Sequence, residues 1–218
     1  MSPDQLWPKL LEATGQTIGL VGLAFLFGGL GGLVLGTALY VSRSGGLFAN
    51  RWAHGGLNLL VNLFRPIPFL IFLAAVQPLS RLVVGTGIGD RAMVFAISLA
   101  AIFGISRIVE QNLLTVSPGV IEAARASGAS RMRTLLTIVL PEALGPLILG
   151  YTFVVVALVD MSAVAGYVGG GGLGAFAIQW GYRQFDPLVT WSAVLIIIVL
   201  VQLVQALGNV LARRVLRR

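Results

Sequence analysis

The sequence predicts an all-α, polytopic membrane protein with about five transmembrane helices. Hydrophobic residues make up 57% of the 218 positions and charged residues only 11%, against about 25% charged in ordinary soluble domains. The few charges also leave long gaps. Ala13 to Ser42 and Pro187 to Ala212 contain no Asp, Glu, Lys or Arg, and both exceed the roughly 20 apolar residues that cross a bilayer core.

Taken in order, the spans fall at about 15–41, 56–78, 91–112, 143–166 and 188–211, all within one membrane domain covering 1–218. Span one carries Gly28, Gly32 and Gly36 on one helical face, a spacing of small residues that lets two helices approach closely. Span two must tolerate Arg65, which precedes Pro66-Ile67-Pro68. Those prolines remove two backbone donors and break or kink the helix. Arg65 then either satisfies freed carbonyls, snorkels toward water or serves the pathway. Span four carries Asp160 beside Met161 and Ser162. An ionisable residue at membrane depth marks a candidate pathway or gate. Asp160 pairs with Arg65, lines a polar cavity or meets a substrate ammonium group. The stretch 167–187, with its run Gly169-Gly170-Gly171-Gly172, reads as re-entrant or external, because irregular backbone survives at that depth only when buried in protein or lining a cavity.

The charges orient the chain. With the N-terminus outside, ten basic residues fall on the cytoplasmic side: Arg43, Arg51, Arg107, Arg125, Arg131, Arg133, Arg213, Arg214, Arg217 and Arg218. Only four, Lys9, Arg81, Arg91 and Arg183, fall outside. The positive-inside bias therefore predicts N-out and C-in, which an odd number of spans requires. The net charge of +7 is accounted for by cytoplasmic loops facing anionic lipid, without nucleic acid. A cleavable signal peptide is not expected, because the first apolar run is too long and lacks a basic leader.

The polar segment 113–141 is the most informative part of the chain. Glu122-Ala123-Ala124 is followed by Gly128 and then by Ile138, Leu140 and Pro141. Ser117-Pro118 starts a short helix, with Ser117 as N-cap and Pro118 where its missing N–H costs nothing. Gly128 can take positive φ and end that helix. Ser130 caps a second helix, which is halted or kinked at Pro141. Ala123, Ala124, Ala126 and Ser127 keep the first helix shallow, so that a partner's surface can come close.

This spacing, E-A-A-x3-G-x9-I-x-L-P, resembles the cytoplasmic signature loop of permease subunits of ATP-binding-cassette importers. Phe64-Arg65-Pro66-Ile67-Pro68-Phe69, Val84-Gly85-Thr86-Gly87-Ile88-Gly89, Arg107-Ile108-Val109-Glu110 and Gly171-Gly172-Leu173-Gly174 extend the resemblance, from about Gly19 to Arg218, to the methionine-type branch. Two positions depart from that pattern: Pro66, where serine is usual, and the acid Asp160. The resemblance implies a homodimer, two copies of a cytoplasmic ATPase subunit that bind the ATP and Mg, and an external substrate-binding lipoprotein. It also implies that Glu122, Ala123, Ala124 and Gly128 dock into the ATPase. Permeases for glycine betaine or choline, or for another amino acid, share the loop. A stand-alone secondary transporter would show internal repeats or paired membrane acids.

Enzymatic chemistry is not expected of this chain. Eight carboxylates are scattered, the one histidine, His54, has no ligand-like neighbour, and there is no cysteine, so neither a metal set nor a nucleophile–base arrangement can be drawn. The formal G-x-G-x-x-G at Gly169, Gly171 and Gly174 lacks the strand, helix and acid of a dinucleotide site. No Walker sequence occurs, so no cofactor is assigned to the chain itself.

Overall fold

The computed structural model describes residues 3–167 and 169–216. Every described element is helical. The long helices are α1 (Pro3–Ser42), α4 (Gly89–Leu113), α8 (Leu144–Tyr167) and α10 (Pro187–Leu216), joined by α2 (Arg51–Phe64) and α3 (Phe69–Val84). The segment between α4 and α8 forms α5 (Pro118–Ala126), α6 (Arg131–Thr134), a π turn at Leu135–Val139 and α7 (Leu140–Glu142). A short α9 (Gly172–Phe176) precedes α10.

α4 is the central helix: 56% of its spanning window is buried inside the chain, against 6% for α10. It lies parallel to α1 along the glycine face anticipated above. A Cβ on Gly28 would stand 2.7 Å from that of Ala101, and one on Gly32 would stand 2.5 Å from that of Ile105. Further along, Gly36 faces Ser106 and Val109. This register brings the N-terminal ends of α1 and α4 to one end of the molecule, beside the glycine segment. Their C-terminal ends lie at the other, beside α5. Such close backbone approach supplies the dispersion contacts that hold helices together where lipid removes the hydrophobic drive.

The expected span 56–78 is not one straight helix. α2 and α3 meet at a bend of 113° across Arg65–Pro68, because Pro66 and Pro68 cannot donate to the preceding turn. Phe64 at the corner stacks on Phe103 of α4 at 5.0 Å and meets Phe72 of α3 edge-on at 6.5 Å. Among the described residues, four helices alone are long and apolar enough to cross, or five if the bent pair counts as one span.

α1 begins well before the expected residue 15. Its first turns bury Leu6, Leu10 and Ala13 against Leu173, Phe176, Val189 and Ala193. Lys9 Nζ sits 3.6 Å from the Trp180 ring centroid, a cation–π contact that fixes this extension on the segment after α9. Hydropathy could not see it, because the stripe is interrupted by polar residues facing water.

Candidate functional site

The 114–143 segment is built from local signals. α5 starts at Pro118, with Ser117 in the N-cap position and extended backbone, but the Ser117 hydroxyl makes no capping bond. At the other end Gly128 adopts φ +81°. Its N–H donates to the Arg125 carbonyl at 3.0 Å, and the Ala129 N–H to the Ala124 carbonyl at 3.1 Å. This pair of bonds is the Schellman arrangement, which needs a left-handed residue at the glycine position. Ser130 then caps α6, its Oγ accepting from the Arg133 N–H at 3.3 Å.

Of the two outcomes expected at Pro141, a halt or a kink, the halt does not occur. The chain instead widens before the proline: the Leu140 N–H reaches the Leu135 carbonyl, five residues back, across the π turn. That widening makes room for the Pro141 ring, which clashes with regular α geometry. The helix runs on to Glu142, turns once at Ala143 and continues as α8.

Ala124 is buried and Ile121 packs half-buried against the main core, so this side of α5 faces the body of the chain. Glu122, Ala123, Arg125 and Ala126 are exposed. Val120, Met132 and Leu136 add exposed apolar surface, and Glu122 has no hydrogen-bond or ion-pair partner among the described residues. Ile138 and Leu140 are half-buried and Pro141 is exposed, so these three shape the return path into α8. The outward face of α5 is thus small-sided, with one carboxylate and a flank of apolar side chains.

Behind the loop stands a polar clamp that sequence reasoning passed over. Arg107 reaches Glu110 at 2.5 Å, Asn62 Oδ1 at 2.6 Å, and Asn58. It ties α4, one turn and a half before its end, to α2. Glu110 is buried, and its charge is tolerable there because the guanidinium compensates it. The i,i+3 spacing of Arg107 and Glu110 was the available signal; the two asparagines, more than forty residues away, gave none.

The candidate pathway residues separate into two groups. Ser162 is buried and donates to the Val159 carbonyl at 2.7 Å, and Met161 is half-buried against the core. Arg65 and Asp160 are exposed on faces that this chain leaves uncovered. They form no ion pair with each other among the described residues.

At the opposite end, three successive N–H groups of the glycine segment are held by side chains from distant helices. Gly171 donates to Asp90 Oδ1 at 3.1 Å, Gly172 to Gln16 Oε1 at 2.8 Å and Leu173 to Thr17 Oγ1 at 2.8 Å. These donors are spent within the chain.

A family model described as the binding-protein-dependent transport system inner membrane component matches residues 28–217. The chain belongs to this family. It is therefore an inner-membrane component of such a transport system, and the buried seam, bent second span and exposed loop are those of a permease subunit. Relatives of this permease include the probable D-methionine transport system permease protein MetI of Vibrio cholerae, 39% identical over 94% of this chain and 92% of its own length. The D-methionine transport system permease protein MetI of Escherichia coli K12 is 37% identical over 76% of each. Among solved structures, one described as an inward-facing conformation of the MetNI methionine ABC transporter superposes with a TM-score of 0.94 and 37% identity over 99% of both chains. An amino acid ABC transporter structure at 21% identity and TM-score 0.79 shares the fold.

Proposed function

We propose that this permease is the membrane-spanning subunit of an ATP-driven importer for methionine, in its L or D form, and that it works as a homodimer. The observation that carries this reading is the likeness, over 99% of both chains, to the solved structure described as a methionine ABC transporter. The names of the Vibrio and Escherichia relatives support the same substrate. The orientation proposed is N-out and C-in, which puts 113–141 in the cytosol.

In this reading ATP and Mg are bound by two copies of a cytoplasmic ATPase subunit, and an external lipoprotein delivers the substrate. The exposed side of α5, with Glu122 and Ala123, seats in the ATPase. Ala124 holds that helix to its own chain, and Gly128 permits the sharp exit. Ile138, Leu140 and Pro141 lead the displacement into α8, so that approach of the two ATPase copies moves the helices and reopens the pathway outward. A push on an exposed helix can shift a conformational equilibrium only as far as the partner binds the two states differently.

The test is ATP-driven uptake of labelled methionine into proteoliposomes holding the permease, its ATPase and its binding protein. Saturable accumulation that requires ATP is expected. Hydrolysis stimulated by the binding protein without methionine accumulation would refute the substrate, and accumulation without ATP would refute the importer.

A further inference from the structure

Successive residues of an α-helix turn by about 100°, so the side of α8 that meets its own chain fixes where every other residue points. Tyr151 marks that side: its hydroxyl donates to the Gly29 carbonyl of α1 at 2.8 Å. Asp160 lies nine residues on, about two and a half turns, and so points away from that contact. The exposures agree. Leu149, Phe153 and Asp160 form an exposed stripe, Phe153 at 69%, while Leu158 and Ser162 on the other side are buried.

Asp160 also lies inside the span Leu144–Gly166, about 10 Å before the end of α8 at Tyr167. No cation approaches it within salt-bridge distance among the described residues. An unpaired carboxylate at that depth is strongly disfavoured against hydrocarbon, and intramembrane acids face water-filled cavities or partners instead. We infer that this stripe of α8 lines the aqueous pathway and that Asp160 is a docking point for the primary ammonium group of the transported amino acid. The inference rests on the importer reading above and names the residue that would select for that ammonium. An ionised carboxylate only accepts hydrogen bonds, so it matches a three-donor ammonium. Its neighbours Phe153, Ala157 and Val164 present apolar surface suited to an uncharged side chain.

The chain has no cysteine, which makes the test direct. Asp160→Cys, in the full complex in proteoliposomes, is treated with membrane-impermeant thiol reagents, one adding a sulfonate and one a quaternary ammonium. Modification by both is expected, with uptake lost in the untreated variant, partly restored by the anionic adduct and not by the cationic one. Asp160→Asn is expected to slow methionine uptake about tenfold, as for loss of one charge-assisted hydrogen bond. Asp160→Glu restores most of it. A thiol that the reagents cannot reach overturns the inference, because the face is then covered by lipid or a second copy. Uptake by Asp160→Asn at the wild-type rate overturns it equally. A wild-type complex that hydrolyses ATP but accumulates no methionine refutes the substrate assignment instead, and reagent access then still decides whether the face is wet.

Discussion

The glycine segment at one end of the molecule and the α5–α6 loop at the other solve similar local problems in opposite ways. Both contain a left-handed glycine at a helix boundary, Gly172 with φ +93° and Gly128 with φ +81°. In the glycine segment, the N–H groups of Gly171, Gly172 and Leu173 are claimed by Asp90, Gln16 and Thr17, far away in sequence. In the loop, the backbone is satisfied by its own neighbours, through the Schellman bonds and the Ser130 cap. A Cβ on Gly174 would run into the backbone of Ala163, whereas one on Gly128 would meet nothing within 4 Å. One segment is committed to its own chain. The other closes on itself and leaves its outer surface bare.

Substitutions at the two ends should separate stability from coupling. The largest effect is expected for Gly174→Val, whose side chain cannot fit against Ala163. Overpacking against backbone costs about 1–3 kcal/mol or more, and size-exclusion profiles and melting in detergent should show little assembled protein. A normal melting curve would mean that α9 moves freely, against the comparison. Next comes Gly128→Val. A β-branched residue in left-handed conformation costs about 1–2 kcal/mol, borne locally by the exit from α5. Uptake should therefore fall about tenfold or more while detergent melting changes little; a large loss of stability with intact coupling would reverse the assignment of roles. The smallest effect is expected for Thr17→Val, which removes one hydrogen bond, to the Leu173 N–H, worth about 0.5–1.5 kcal/mol net. Faster hydrogen exchange at 171–173, with no change at 118–130, is the result that would sharpen the contrast.

What was legible in the sequence was local or periodic. Gly128 and Ser130 announce themselves because the conformations they serve need those residue types within four positions. The Gly28–Gly32–Gly36 stripe and the Pro66–Pro68 break are visible for the same reason. The π turn is harder: Pro141 signalled a disturbance, but a helix can answer it by stopping or by widening, and neighbouring packing decides. Ser117 sits where a cap belongs yet makes no bond, since position alone does not orient a hydroxyl. The Arg107 clamp and the bonds to Gly171–Leu173 join residues 45 to 156 positions apart, and nothing local distinguishes their members. The uncovered face of Asp160 became visible only once Tyr151 had fixed the rotation of α8.

The widened turn between Leu135 and Val139 has a geometric consequence. A π turn stores one residue beyond what the helix length requires. Tightening it to α would rotate everything downstream by about 100° relative to α5 and lengthen the path by about 1.5 Å. Asp160 lies downstream. A small adjustment next to the loop would therefore act as a crank, changing which side of α8 looks into the pathway without any hinge inside the membrane.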